Sequence, residues 1–286
     1  MPAFLQYEFM VRALIGGVLV GALAPVLGTF LVLRRFSLIA DTLAHVALMG
    51  VAIGMATRTY PAFTALAAAV AGAIIIELLR SRRKLPGDVT LAIVLYTSLA
   101  VAVVIISASR GFNVDLFAFL FGSILVVSPL DVALLGVLTV VTVLFVTVFF
   151  VELAQSAFDE DLARASGVPV DWVNLGLAIL TGATITLSMR VVGVLLVGAM
   201  IVVPVLAGQR LVKGLRAAIF AAVLIGVGSS ILGLILAFYT DVSAGGATVL
   251  TAVAVLFLVE GFSIIQRRRQ PTEEPAALER GHSHTH

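Results

Sequence analysis

The sequence lacks cysteine, and it contains only four histidines among its 286 residues. Without cysteine, neither a disulfide nor a thiolate metal site can form. Charged residues are scarce, at 12% of the chain, and the net charge of +2 gives no basis for a nucleic-acid partner. No phosphate-binding loop of the pattern GxxxxGKS or GxxxxGKT occurs. Any ATP hydrolysis on which the protein depends must therefore come from a separate chain.

Apolar residues make up 61% of the sequence, far more than a soluble domain of this size needs. Several runs reach the roughly 20 residues with which an α-helix crosses the hydrocarbon layer of a bilayer. Hydropathy predicts about nine such helices, over residues 10–33, 38–57, 62–79, 91–109, 132–151, 172–189, 191–211, 217–239 and 247–265. The predicted fold class is therefore an all-α polytopic membrane protein.

The basic residues predict the orientation of these helices. Fourteen of the 18 lysines and arginines fall on one side of the membrane if the N-terminus lies outside. Cytoplasmic connections carry an excess of lysine and arginine. We therefore predict a multi-pass protein of the cell (plasma or inner) membrane, with the N-terminus outside and the C-terminus in the cytoplasm.

Segment 112–127 is apolar but short for a crossing. If it crossed, the basic clusters that follow it would lie outside, against the positive-inside rule. We therefore predict a re-entrant or outer-surface helix there, shielded by protein.

One predicted span, within LRRFSLIADTLAHVALMGVAIG, carries an aspartate and a histidine. Asp41 and His45 are four residues apart, so a helix places their side chains on the same face. An ionisable pair in a lipid-buried helix is typical of an ion pathway, a proton relay or a buried ion pair. Carboxylate oxygen and imidazole nitrogen also suit zinc or manganese. The alternative is that Asp41 N-caps a helix beginning at Thr42 and that His45 bonds a backbone carbonyl.

The connection between the fifth and sixth predicted spans, QSAFDEDLARASGVPVDW, contains a short helix of its own. Ser156 with Asp159 forms a capping-box pattern at its start, and Gly167 can take the C′ position at its end. Phe158 and Leu162 fall on or near one face. A compact capped helix in the cytoplasm can dock a soluble partner. The alternative is a helix lying on lipid, which its net negative charge disfavours.

Two of these stretches resemble a known family. LRRFSLIADTLAHVALMGVAIG resembles the motif of the manganese-, zinc- and iron-type permeases of ABC metal importers, and FDEDLARASGVPV is similar to their cytoplasmic coupling segment. The resemblance extends over almost the whole chain, up to about residue 265. It implies a type II ABC importer-like permease: a homodimer in the bilayer, two cytoplasmic ATP-binding subunits, and an external binding protein that delivers the metal.

The resemblance also implies roles for particular residues. Asp41 and His45 become the expected pathway ligands for a transported divalent ion, zinc or manganese foremost and iron as a further possibility, with no permanently bound cofactor. The expected protein is a transporter subunit and not an enzyme. The residues expected to couple it to the ATPase lie within segment 156–170 and are Phe158, Asp159, Glu160, Leu162, Ala163, Arg164 and Gly167.

Other polar residues are weaker candidates. On the predicted outer side, Asp115, Asp131 and Asp241 could attract the cation or pair with the binding protein, but a loop cap or a solvated charge is the simpler interpretation of each. Residues 1–266 form the predicted transmembrane permease domain, and the polar tail, 267–286, has a composition typical of disorder. The tail carries a short histidine tract that could bind metal or be a passive tail: His282, His284 and His286.

Three rival functions make different demands on the sequence. A permease for a metal chelate, such as a siderophore or a corrinoid, needs a wider path and no ionisable ligand pair. A gradient-driven metal carrier needs no helix for docking an ATPase. An intramembrane metalloprotease needs HExxH or a comparable triad, which the sequence lacks.

Overall fold

The computed structural model describes residues 6–83, 86–108, 120–123, 125 and 127–269. Within these ranges all regular structure is helical. The helices are α1 (Glu8–Leu33), α2 (Leu38–Ala56), α3 (Pro61–Arg83), α4 (Gly87–Ala108), α5 (Pro129–Val148), α6 (Phe150–Phe158), α7 (Glu160–Ala165), α8 (Val170–Ser188), α9 (Val194–Leu211), α10 (Leu215–Thr240) and α11 (Ala244–Arg269).

Eight of the described helices are long and apolar enough to cross a membrane, namely α1 to α5, α8, α10 and α11. The remaining predicted span falls on α9, whose apolar stretch, Leu196–Leu211, is shorter. The all-helical membrane fold predicted from hydropathy is therefore confirmed. α11 continues to Arg269, three residues into the stretch predicted to be a tail.

The shortness of α9 has a structural cause, because the helix begins inside the bundle. The turn before it packs against Gly16, about two turns into α1, where an added Cβ would lie 3.1 Å from Val191. Gly193 in this turn has a φ of 93°, and Gly122, which packs against it, has a φ of 73°. Glycine adopts such a backbone without steric cost. Gly193 thus lets the chain turn before α9, and Gly122 lets its own segment approach that turn closely.

The segment predicted not to cross, 112–127, lies mostly outside the described residues. Its described part packs beside the turn before α9, where the Ser123 N–H donates to the Arg190 carbonyl at 3.1 Å. α5 starts at the same end of the bundle, since Asp131 in its first turn pairs with Arg190. α4 starts at the opposite end, where Gly87 contacts Phe36. α4 therefore ends on the side of the bundle on which α5 starts. This agrees with the prediction that no crossing lies between them.

The connection between α5 and α8 differs from the single capped helix that was predicted. α5 is followed almost directly by α6, and α7 is a separate helix. Ser156 is buried inside α6, where its hydroxyl accepts a hydrogen bond from Arg34. The N-cap of α7 is Asp159, whose carboxylate accepts from the Leu162 N–H at 2.9 Å. The prediction of Ser156 as the cap is therefore wrong, because a tertiary contact uses its hydroxyl.

The predicted C-terminal stop of this helix is confirmed. Gly167 has a φ of 85°, and its N–H donates to the Arg164 carbonyl at 3.0 Å. The Val168 N–H donates to the Ala163 carbonyl at 3.1 Å. These two bonds are those of the Schellman motif. α7 is thus a compact unit of six residues, stopped at both ends by its own sequence.

Candidate functional site

Asp41 and His45 lie on α2. The helix begins at Leu38, three residues before Asp41, and its N-cap residue, Ser37, makes no side-chain capping bond. Asp41 is therefore a helical residue of the first turn. The alternative in which Asp41 caps a helix beginning at Thr42 is wrong.

The two side chains share the side of α2 that the rest of the chain leaves uncovered. Leu38 is 53% exposed, Asp41 is exposed and His45 is half-buried, whereas residues 42–44 between them are buried. The Nδ1 atom of His45 is buried and has no hydrogen-bond partner within the described part of the chain. A bond from Nδ1 of His45 to a backbone carbonyl is therefore not formed.

A glycine of α9 packs against the Asp41 carboxylate. A Cβ added to Gly198 would lie nearer to Asp41 Oδ1 than 3.0 Å, a separation that real Cβ atoms essentially never show. This close approach is possible because α9 begins inside the bundle, which brings its first turns to the level of Asp41. Sequence reasoning gave Gly198 no part in the site. The sequence feature that could have pointed to Gly198 is a glycine inside an apolar helix, because alanine at such a position gives a more stable helix.

The described part of the chain does not by itself supply a complete metal site. Among the described residues, no group of three or more histidine, aspartate or glutamate side chains could hold a metal ion. Ionisable groups in membrane spans face protein or water, because a charge that faces lipid is expensive. Asp41 and His45 thus form a half-site on α2. Its open side must face another protein surface or an aqueous path.

Arginines gather at the end of the bundle where α2 begins. Arg34, at the end of α1, donates hydrogen bonds to Ser156 of α6 and to Asn174 of α8. Burial lowers the pKa of Arg34 to about 10. These bonds fasten the end of α1 to α6 and α8.

Arg80, in α3, bridges two carboxylates beside a cavity of about 400 Å³. Its guanidinium lies 2.7 Å from Glu77 of its own helix and 2.6 Å from Glu160 of α7. Its Cζ atom lies 5.7 Å from the centroid of the Phe36 ring. Burial alone would raise the pKa of Glu160, but hydrogen bonds from Arg80 and Arg164 outweigh it and hold that pKa below its usual range.

The residues predicted to couple to an ATPase divide into an exposed pair and a structural set. Phe158 is 72% exposed and Leu162 is 65% exposed, and both line a groove of about 290 Å³. Ala163 is buried, and Arg164 pairs with Glu160 at 3.0 Å. Asp159 and Gly167 are the two stops of α7 described above. The exposed apolar pair is the part of this segment that another protein could contact.

The acidic candidates at the opposite end differ from one another. Asp131 forms a capping box with Ser128, as the loop-cap interpretation requires. Its carboxylate also pairs with Arg190 at 2.9 Å, so it is engaged within the chain. Asp241 ends α10, is exposed, and borders a cavity of about 410 Å³. The candidates that lie outside the described residues are Asp115, His282, His284 and His286.

The fold and the half-site define a class, a polytopic helical membrane protein with a potential metal-ligand pair in one span and a capped helix at one end of the bundle. Residues 6–263 match the ABC 3 transport family, which accounts for nearly the whole chain. The chain belongs to the ABC 3 transport family.

Relatives of known name are similar over nearly their full lengths. A protein of Treponema pallidum (strain Nichols), named "Probable metal transport system membrane protein", is 36% identical over 265 residues, which cover 93% of this chain and 99% of the relative. The manganese import system permease protein ScaB of Streptococcus gordonii is 31% identical, with 92% and 94% covered. The high-affinity zinc uptake system membrane protein ZnuB of Haemophilus influenzae is 29% identical, with 92% and 100% covered.

A solved structure, PsaBC from Streptococcus pneumoniae in complex with Fab, has a similar fold. Its TM-score is 0.79 at 30% identity, over 90% of this chain and 92% of that one. This likeness confirms the predicted permease architecture. The family also confirms that the chain is a transporter subunit and not an enzyme.

Proposed function

We propose that this chain is the membrane-spanning permease subunit of an ATP-driven importer of divalent metal ions. The observation that carries the proposal is the half-site on α2, where Asp41 and His45 lie on the uncovered side of a helix long enough to cross a membrane. The transport systems for which the relatives are named support the same function.

The half-site has the chemistry that a divalent ion requires in a low-dielectric layer. Asp41 supplies negative charge and oxygen, and neutral His45 supplies nitrogen. When two copies of the chain face each other through this side of α2, two aspartates and two histidines surround the ion as a four-ligand site. Conduction also requires that the ion can leave, so the site binds its ion weakly enough to release it.

The ligand types alone do not select one metal. Carboxylate and imidazole suit zinc, manganese and ferrous iron, and selectivity among these depends on geometry and metal supply. We propose zinc or manganese as the transported ion, and iron as a third candidate. The ion is cargo, and no permanent cofactor is part of the proposal.

The partners follow from the two ends of the bundle. Phe158 at the end of α6 and Leu162 on α7 form the docking surface for an ATP-binding subunit, one for each permease copy. An external binding protein delivers the ion at the opposite end, where Asp241 borders an open cavity. The excess of basic residues supports a cytoplasmic position for the arginine-rich end, and the proposed orientation has the N-terminus outside and the C-terminus inside.

The proposed division of the chain is a transmembrane permease domain over residues 1–266 and a tail over 267–286. The described helix α11 extends to Arg269, so the division falls within its last turn. Metal binding by the tail histidines stays a prediction, since they lie outside the described residues.

Reconstituted vesicles test the proposal. Vesicles that contain the permease and its ATPase subunit are supplied on the outer side with the external binding protein loaded with radioactive manganese or zinc, and ATP-dependent uptake is measured. Asp41→Asn and His45→Gln each remove a ligand at nearly constant size, and we expect uptake to fall by at least about tenfold while the complex stays assembled.

Asp161→Asn is the matched control, because Asp161 is an exposed carboxylate of α7 to which the site assigns no role. Its uptake should equal that of the unaltered protein. Normal uptake in both ligand variants would contradict the proposed site.

A further inference from the structure

A continuous line of side-chain contacts runs from α7 to the start of α2. Glu160 of α7 bonds Arg80 of α3 at 2.6 Å, and the Arg80 side chain is only 16% exposed. Arg80 in turn lies over the ring of Phe36, 5.7 Å from its centroid. Phe36 lies two residues before α2 begins and five before Asp41. Three side chains therefore connect the capped helix to the helix that bears the half-site.

Phe36 is held tightly enough to pass on a displacement. The Phe36 ring also contacts Gly87, the first residue of α4, where an added Cβ would lie 2.7 Å from Phe36 Cζ. The Phe36 N–H donates to the Leu31 carbonyl at 2.9 Å, and its carbonyl accepts from the Ile39 N–H at 3.0 Å. Because the ring has no free space beside Gly87, a shift of Arg80 moves Phe36 and, through the Ile39 bond, the first turn of α2.

The neighbouring arginine has a different set of contacts. Arg34 donates hydrogen bonds to Ser156 of α6 and to Asn174 of α8, and neither acceptor belongs to α7. Arg34 thus fastens the end of α1 to the surrounding bundle. The ion pair from Arg80 to Glu160 instead joins α3 to α7.

We infer that Arg80 is a positioning residue of the transport cycle, which transmits the displacement of α7 to Phe36 and so to the half-site on α2. This inference rests on the proposed function, in which an ATPase acts on α7 and the ion passes Asp41. The guanidinium suits the task because its planar fork of donors bonds two carboxylates while its face lies on an aromatic ring. A lysine ammonium cannot make all three contacts at once.

The test measures ATP hydrolysis and metal uptake in the same vesicles, with the permease assembled with its ATPase subunit. Arg80→Met removes the link, and Glu160→Gln removes the charge on α7 that pairs with Arg80 and also with Arg164. We expect both variants to hydrolyse ATP, while the number of ions moved per ATP falls by about tenfold. Arg80→Lys should give an intermediate ratio. The control is Arg12→Met, because Arg12 pairs with Glu8 of its own helix, α1.

The ratio of ions to ATP separates transmission from a merely structural role. If Arg80 has only a structural role, its variants assemble less complex, but the assembled complex moves as many ions per ATP as the unaltered protein. That result would overturn the inference. An unchanged ratio in Glu160→Gln, the variant least able to disturb folding, would overturn it as well. If the unaltered complex takes up none of the three candidate metals, the proposed function fails by itself, before any variant is compared.

Discussion

A single methyl group added beside the half-site should stop transport without unfolding the protein. In Gly198→Ala, the new Cβ would occupy space that the Asp41 carboxylate now fills. The other neighbours of this Cβ, Asp41 Cγ at 3.5 Å and Ala40 Cβ at 3.8 Å, are at ordinary contact distances. The clash is therefore confined to one carboxylate oxygen at the end of a rotatable side chain.

The size of the effect follows from the geometry. The carboxylate has to move by several tenths of an ångström to clear the methyl group. Metal–ligand distances are held to within about 0.2 Å, so the displaced oxygen no longer bonds an ion placed as before. Changes next to a metal ligand lower metal affinity or activity by about 10- to 100-fold. The fold itself should not weaken, since alanine is the better helix former.

The assay is ATP-dependent metal uptake by reconstituted vesicles, together with the thermal unfolding of the purified permease. Gly136→Ala is the matched control, because a Cβ at Gly136 in α5 meets no described atom within 4 Å. We expect Gly198→Ala to lose uptake by about 10- to 100-fold with an unchanged unfolding temperature. Full uptake in Gly198→Ala would refute the claim that the position of Asp41 governs transport.

Three further outcomes concern α7. Leu162→Asp places a charge on the exposed apolar docking surface, so the permease should no longer co-purify with its ATPase subunit. Gly167→Ala forces a non-glycine residue to a φ of 85°, and the free energy of unfolding should fall by about 1 to 2 kcal/mol in denaturant titrations. Because the folded-state pKa of Glu160 is lowered, its ion pairs stabilise the protein above the usual carboxyl value of 4.5, and this stability is lost as the pH falls through the folded-state pKa. As the pH is lowered from 4.5, the temperature of thermal unfolding should therefore fall more steeply in the unaltered protein than in Glu160→Gln.

Each outcome has its own control. Asp161→Asn changes an exposed residue of the same short helix and should leave co-purification intact. Retention of the ATPase by Leu162→Asp would count against the docking surface. Equal unfolding of Gly167→Ala and Gly136→Ala would show that the left-handed backbone is not required at residue 167. Parallel pH curves for the unaltered protein and Glu160→Gln would show that the pairing of Glu160 contributes nothing.

The amino-acid sequence by itself determined the membrane fold. Apolar run length decides which segments can cross a bilayer, and this is a local property that needs no tertiary contact. The i, i+4 spacing likewise decided that Asp41 and His45 share one face of α2, because helix geometry fixes that relation. The stop at Gly167 was equally local, since it depends on a backbone conformation that glycine adopts without strain.

Only the tertiary structure decided which of the local options were used. The sequence pattern predicted that Ser156 caps α7, whereas in the structure Arg34 bonds Ser156 inside α6 and Asp159 caps α7. The part of Gly198 in the site depends on α9 beginning inside the bundle, which hydropathy does not reveal. The link from Arg80 to Glu160 joins residues 80 positions apart in the sequence. Contacts of this kind depend on how helices pack, and residue spacing along one helix carries no information about its neighbours.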